Sequence, residues 1–328
     1  MILITGGAGY IGSHTAINLL DNSYDFVIFD NLENGHFETI ENLKNIGNFK
    51  FVKGDLRNIE EIEHIFQLYQ IDAVVHFAAF ALVEESVKNP SKYYNNNVIG
   101  TLNLLNSMIK NNVLKIVFSS TCATFGEPKY APIDENHPQN PINPYGQTKL
   151  IIEKILSDYD KAYNLKSIIL RYFNVAGCDK LGRIGECHEP ETHLIPNIIK
   201  SIHDKNKTFK IFGTDYDTPD GTCIRDYVNV EDLADAHRLA LEYLNKENTS
   251  DIFNLGTENG YSVKEVFQVC EKILGKKIPL ETTDRRDGDP AILFADSKKA
   301  KSILHWQPKR TLEQSIKTAL NWEQNIKN

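Results

Sequence analysis

Short apolar runs alternate with helix-length amphipathic segments through the first half of this chain, and no other feature limits the possible folds as strongly. The runs are Ile2–Ile4, Phe26–Phe29, Phe51–Val52, Ala73–Phe77, Lys115–Ser119 and Ser167–Tyr172, with helical patterns near 12–21, 58–69, 91–111 and 146–163. Strands that are apolar along their whole length are covered on both faces, and an intervening helix lets consecutive strands lie parallel. The expected fold class is therefore α/β, a doubly wound parallel sheet over residues 1–175. Beyond it the pattern loosens. Gly-, Asp- and Pro-rich loops at 176–192 and 213–223 bracket a helix near 192–203. Helical periodicity returns at 231–245, 262–274 and 311–325, with a candidate strand at Ile252–Leu255. Residues 176–328 are read as a smaller α/β lobe, with the 231–245 helix free to pack back on the first domain.

Composition removes several classes of function. A net charge of −8 disfavours a polyanion-binding surface, so no nucleic-acid partner is expected. The five cysteines, Cys122, Cys178, Cys187, Cys223 and Cys270, are scattered and lack C-x-x-C spacing. Neither a disulfide framework nor a zinc site is expected from them; reduced thiols in a cytoplasm are the simplest expectation. Met1 runs directly into Ile2-Leu3-Ile4, leaving no room for a signal peptide. The longest apolar stretch, Ala73 to Val83, contains His76 and falls short of the ~20 residues that span a bilayer, so no membrane partner is expected.

Thr5-Gly6-Gly7-Ala8-Gly9-Tyr10-Ile11-Gly12 follows the first strand and opens the first helix. That context suits a dinucleotide: glycines make a tight turn, backbone N–H groups face a pyrophosphate, and a positive helix end lies beneath it. Asp30 ends the second strand, where its carboxylate can accept from ribose hydroxyls and repel a 2′-phosphate, which points to NAD. Asp55, after Gly54 at the end of the third strand, is placed to take an adenine amino group, although a turn aspartate would look the same. Phe77-Ala78-Ala79 ends the fourth strand with small residues that let a cofactor approach the backbone.

Asn143 is a good N-cap and Pro144 a favoured first helical residue, so a helix should start there. Four residues of helix, about 6 Å of rise, set Tyr145 and Lys149 on one face. A fixed ammonium beside a phenol lowers a pKa that starts near ~10, giving a candidate general base. The spacing is common on surface helices, and its context carries the reading. Ser119-Ser120-Thr121 ends the fifth strand at the ligand-binding edge of an open sheet, where the Thr121 hydroxyl can share a proton with Tyr145.

With these residues in place the chain resembles the extended short-chain dehydrogenase/reductase superfamily and, within it, the family of UDP-glucose 4-epimerases. The likeness runs through 5–12, Asp30-Asn31-Leu32, Gly54-Asp55, His76–Ala79, Tyr94–Val98, Ser119–Thr121, Tyr145/Lys149, Arg171–Asn174, Arg225–Tyr227 and Arg285–Asp289. It implies a Rossmann domain holding NAD and a C-terminal lobe holding UDP-glucose or UDP-galactose, in galactose metabolism. Tyr145 would remove the sugar 4-hydroxyl proton. Lys149 would hold the nicotinamide ribose, and Thr121 would hydrogen-bond the reacting oxygen. NAD contacts are implied for Gly6, Gly9, Tyr10, Ile11, Gly12, Asp30, Asn31, Asn34, Asp55, Leu56, Phe77, Ala78, Ala79, Asn96 and Phe173, besides Tyr145 and Lys149. Asn174, Leu194, Arg225 and Arg286 would face the diphosphate, Phe212 the uracil, and Asp289 the uridine ribose. Arginine suits a diphosphate because its planar fork makes bidentate charged bonds. The resemblance also implies a homodimer formed by the helices near 91–111 and 146–163.

Other chemistries share this frame. A dehydratase needs an acid just after the strand-five Ser/Thr, and this chain has Cys122-Ala123 there. A net reductase using free NADH fits Asp30 and the second lobe less well, and a non-catalytic NAD sensor has no need of Tyr145, Lys149 and Thr121 together. Phe125 stands where many relatives carry Tyr. Leu293 stands where a bulky Tyr restricts the sugar 2-substituent and smaller residues admit an N-acetyl group. A UDP-GlcNAc/UDP-GalNAc or dual-specificity epimerase therefore remains the alternative.

Overall fold

The computed structural model describes residues 1–201, 208–286 and 289–326. Residues 202–203 of the expected helix, and Asp287 and Gly288 of the 285–289 motif, lie outside the described residues. Each expected strand of the first half forms: β1 (Ile2–Thr5), β2 (Phe26–Asp30), β3 (Lys50–Lys53), β4 (Ala73–His76), β5 (Lys115–Thr121) and β6 (Lys166–Tyr172). They lie parallel in the order β3-β2-β1-β4-β5-β6. The order reverses between β1 and β4, opening a crevice beyond the carboxyl ends of those strands.

Alternate residues of β1 feed opposite faces. Ile2 and Ile4 join Leu19, Phe26, Ile28, Leu233, Leu241 and Phe253 on one side. Leu3 joins Val27, Val74, Leu104, Leu105, Ile116, Ile152 and Leu156 on the other. The first face is covered by α1 (Tyr10–Asp21) and by the Val230–Glu247 helix packed on it. A third core holds Ile195, Ile198, Phe209, Ile211, Val266, Phe267 and Ile316 of the C-terminal half.

The candidate strand at Ile252–Leu255 does form, as Asp251–Leu255, but it extends the main sheet beside β6 rather than building the second lobe. Phe253 and Leu255 are fully buried, and the Val230–Glu247 helix before them supplies the crossover that a parallel neighbour requires. Three α-helices were not expected from the sequence, Phe37–Ile46, Val83–Lys88 and Lys298–Ile303. The single helix expected near 91–111 is three pieces: Pro90–Tyr93, a π-helical turn Tyr94–Ile99, and Gly100–Lys110. Among the described residues no helix is long and apolar enough to cross a membrane.

In the C-terminal half Phe209–Phe212 pairs parallel with Leu280–Thr283, and Ile224–Arg225 lies between Tyr261–Ser262 and Ile292–Leu293. Phe253→Ala leaves a cavity under the main sheet and is expected to cost about 3–5 kcal/mol. Hydrogen exchange should then show β6 amides losing protection; unchanged β6 protection would detach Asp251–Leu255 from that sheet's stability.

Candidate active site

The glycine turn is pressed against the end of β4. Gly6 has φ +75°, and a Cβ placed on it would stand 2.5 Å from the Ala78 nitrogen. A Cβ on Gly12 would stand 2.3 Å from the Gly6 carbonyl oxygen. The Phe77 and Ala78 N–H groups both donate to the Thr5 carbonyl, at 2.9 and 3.1 Å. Behind the turn, α1 starts at Gly9 with no side-chain cap and no acidic residue in its first turn. A positive helix end therefore faces the crevice without a counter-charge of its own, the environment a pyrophosphate requires. This cradle fits a dinucleotide.

Asp30 has a task the sequence did not announce. Its buried carboxylate accepts from the Ala8 N–H at 2.9 Å and the Leu32 N–H at 2.8 Å, so it also holds the glycine turn. Burial pushes this carboxyl up, against those two bonds. Further lone pairs can still accept from ribose hydroxyls. Asp55 is more committed than expected: the Arg57 side chain, with Asn31, holds it down to about 2. Arg57 Nε and Asn31 Nδ2 each donate to it at 2.9 Å.

The other expected cofactor positions scatter around the same crevice. The Phe77 ring lies tilted against His237 with centroids 4.6 Å apart, and Ala79 is half-buried after β4. The Tyr10 hydroxyl bonds the Gly177 carbonyl, and Ile11 packs on the first core. Leu56 is buried under Gly100, while Asn34 is exposed. Asn96 sits on the π-helical turn and donates to Asn97 Oδ1 at 3.0 Å.

Asn97 was missed. Fully buried, it accepts from the Phe80 N–H at 2.9 Å and donates to the Phe80 carbonyl at 3.0 Å and to Thr148 at 3.1 Å. It ties the loop after β4 to the helix bearing Tyr145. Three consecutive asparagines inside a helical pattern, where asparagine is unfavourable, were the available signal.

The Pro144–Tyr163 helix begins as expected: the Asn143 side chain accepts from the Gly146 N–H at 2.8 Å and Pro144 follows it. Tyr145, Lys149 and Thr121 are all buried. Thr121 ends β5 and hydrogen-bonds Tyr145, pulling the phenol's pKa down, but burial pushes it well above its usual value and wins. Lys149 donates through Nζ to the Ser119 carbonyl at 2.8 Å and lies 4.8 Å from the Phe118 ring centroid. Burial lowers its own pKa to about 7. The expectation that Lys149 lowers the Tyr145 pKa is therefore not met in the protein alone. Both groups are desolvated together, and the lysine is turned toward a strand carbonyl.

One turn further, Glu153 was also missed, although it continues the i, i+4 series of Tyr145 and Lys149. It is buried and receives Arg171 Nη2 at 2.6 Å, Ser120 Oγ at 2.5 Å and Gln139 Nε2 at 2.9 Å. Cys122, after Thr121, has its thiol pushed up to about 12 by burial and cannot act as an acid.

On the substrate side the structure pairs residues that were assigned separate duties. Arg225 is buried and donates to Asp289 at 2.8 Å and to the Ile224 carbonyl at 2.8 Å. The Arg286 guanidinium lies 3.9 Å from the Phe212 ring centroid. Leu293 stands in register with Arg225 and packs with Phe125, Ile133, Phe173 and Ala295. Phe125, where tyrosine was noted as common, serves that packing. Asn174 is exposed, and Leu194 opens the Leu194–Ser201 helix.

Residues 3–319 match the family model described as GDP-mannose 4,6 dehydratase. A UDP-glucose 4-epimerase of Halalkalibacterium halodurans is 51% identical over 98% of this chain and 95% of its own length. The solved UDP-glucose 4-epimerase of Bifidobacterium longum in complex with NAD+ and UDP superposes with a TM-score of 0.95 at 40% identity, over 100% of this chain and 99% of that one. The UDP-Glc/GlcNAc 4-epimerase of Campylobacter jejuni gives 0.88 at 42% identity, with 99% of each chain covered.

The buried amine has a consequence for stability. Burial lowers Lys149 to about 7 in the folded state against ~10.4 when unfolded, so between those values this side chain holds more proton in the unfolded state. The contribution of Lys149 to the stability of the cofactor-stripped protein is therefore expected to grow from about pH 7 toward ~10, against the opposite slope of groups whose pKa is raised, His193 by its two carboxylates and the Cys122 and Cys270 thiols by burial. Lys149→Met should make the slope of melting temperature against pH between about 7 and ~10 less positive than in the unsubstituted protein; identical slopes would reject a buried, neutralised Lys149.

Proposed function

Since the chain belongs to the UDP-glucose 4-epimerase family, within the wider family of the GDP-mannose 4,6 dehydratase model, we propose that it interconverts UDP-glucose and UDP-galactose by inverting C4. The observation that carries this reading is the convergence of Thr121, Tyr145 and Lys149 on the edge of the sheet where the glycine cradle opens. Bound in the glycine cradle, NAD would supply reversible hydride transfer at the sugar C4, through a 4-keto sugar and with no net redox change.

The chain's own residues supply the rest. Gly6, Gly9 and Gly12 admit the pyrophosphate, and Asp30 accepts from the adenosine ribose while bracing Ala8. Asp55, Asn31, Asn34, Leu56, Tyr10, Ile11, Phe77, Ala78, Ala79, Asn96 and Phe173 complete the cofactor wall. Tyr145 takes the O4 proton in one half-reaction and returns it in the other, with the Thr121 hydroxyl fixing that oxygen. Lys149 holds the nicotinamide ribose. Arg225, Arg286, Asn174 and Leu194 line the diphosphate, with Phe212 at the uracil and Asp289 at the ribose. Dehydration is disfavoured because the Cys122 thiol after Thr121 is not an acid.

A homodimer built on the Pro90–Lys110 and Pro144–Tyr163 helices is part of the same proposal. Tyr94, Ile99 and Tyr163 are large apolar side chains exposed on them, which a partner helix pair would cover. Light scattering should give twice the 37.3 kDa chain mass. A cytoplasmic location is supported by five free cysteines.

Purified protein given UDP-galactose with no added cofactor should form UDP-glucose; no product would reject the epimerase reading. Tyr145→Phe should keep its NAD and its fold while kcat falls about 10²–10⁴-fold, the range for a lost acid/base. Loss of NAD instead would make Tyr145 a cofactor ligand only. Dual specificity toward the N-acetylated pair rests on Leu293, and comparing kcat/KM for the two pairs tests it. No turnover of UDP-GlcNAc or UDP-GalNAc would reject it.

A further inference from the structure

We propose that Glu186, His188, Glu191 and His193 form a structural site for a divalent transition metal, Zn2+ by preference, independent of the epimerase reading. Their donor atoms all lie within 4.8 Å of one another. His193 Nδ1 stands 2.9 Å from Glu186 Oε1 and from Glu191 Oε1, and His188 Nδ1 stands 3.2 Å from Glu186 Oε1 and 3.9 Å from Glu191 Oε2. A tetrahedral zinc with bonds of ~2.0–2.2 Å sets its ligands about 3.4 Å apart, inside that spread. Two carboxylates and two neutral imidazoles around Zn2+ also make an uncharged unit, which suits burial.

The hydrogen-bond inventory argues for an ion here. The Glu186 and Glu191 side chains are only 4% and 6% exposed. His193 Nδ1 can donate a single proton, and it is aimed at Glu191 Oε1. Glu186 Oε1, Glu191 Oε2 and His188 Nδ1 are left buried with no hydrogen-bond partner among the described residues. Lys200 is 3.7 Å from Glu191 Oε2 and supplies only an outer counter-charge. Converging buried lone pairs without protons to share are what a cation satisfies. The cluster escaped the cysteine-based reading because its donors are histidine and glutamate.

Its place in the fold says what such a metal would do. The loop is tied to the cofactor half by the His36 Nε2 contact with the Cys187 carbonyl at 3.1 Å and by the edge-on packing of Tyr10 and His188. It is tied to the C-terminal half by Trp322 Nε1 donating to the Glu186 carbonyl at 3.1 Å, and it runs directly into the Leu194–Ser201 helix. A metal would staple the glycine-turn side to the substrate side, a structural rather than a catalytic role.

The test uses the intact enzyme, stripped with a chelator and titrated with Zn2+ against a chromophoric competitor, with metal content read by mass spectrometry. One Zn2+ per chain is expected, with a higher melting temperature when it is bound. His188→Ala, which removes a ligand from a partly exposed position, should weaken binding about 100-fold or more, and Cys187→Ser should leave it unchanged. Co2+ in place of Zn2+ should give the visible bands of a four-coordinate site without a thiolate charge-transfer band. No bound metal, equal binding by His188→Ala, or loss in Cys187→Ser would overturn the assignment.

Discussion

The active site hangs on one buried ion pair. Arg171 on β6 reaches Glu153 on the Pro144–Tyr163 helix, and Ser120 of β5 and Gln139 from the preceding loop complete the carboxylate's shell. Both charges are almost wholly removed from water, so the pair adds little net stability compared with apolar packing but would cost about 3–5 kcal/mol to break. What it supplies is register. Glu153 shares a helix face with Lys149 and Tyr145, and Ser120 immediately precedes Thr121. Fixing the first two to each other leaves the last three only one way to meet. Lys149 on the Ser119 carbonyl and Asn97 on Thr148 repeat the same fastening at earlier turns of the helix.

Most of the frame was legible because its signals are local. The strands of the first half, the glycine turn and the capped start at Asn143-Pro144 are each written in a few adjacent residues, and each stands where expected. The misses share a cause: long-range partners decide them. Asp251–Leu255 reads as a strand of any sheet, and only its burial against the Val230–Glu247 helix assigns it to β6. The helix Phe37–Ile46 buries just Ile40 and Leu43, too thin a stripe to show in the sequence. The internal partners of Asp55 and Arg225, Arg57 and Asp289, were likewise hidden, because sequence shows charge without showing its counter-charge.

Tuning of the base follows from this packing. A buried phenol flanked by other phenols resists ionisation, and the lysine that could help is itself held near neutrality. The protein alone therefore stores Tyr145 as an acid with a proton in place. A positive charge arriving in the crevice is what would shift it, because burial magnifies charge–charge interaction as much as it penalises isolated charge. Catalytic competence in the proposed reaction would in this sense be a property of the loaded site.

The substrate side follows the same logic with opposite sign. Arg225 and Asp289 satisfy one another, and Arg286 rests on Phe212, so both cations have partners within the protein. Under the proposed assignment of these arginines, an incoming diphosphate would compete with these contacts. It carries more negative charge than one carboxylate, and two arginine forks can grip it at once. Part of the binding free energy would thereby be spent on exchanging internal partners, which would lower affinity for an isolated phosphate more than for a ligand that also fills the Phe212 wall. A latch of this kind would give an acidic protein, at −8 overall, a selective place for a polyanion without a basic surface.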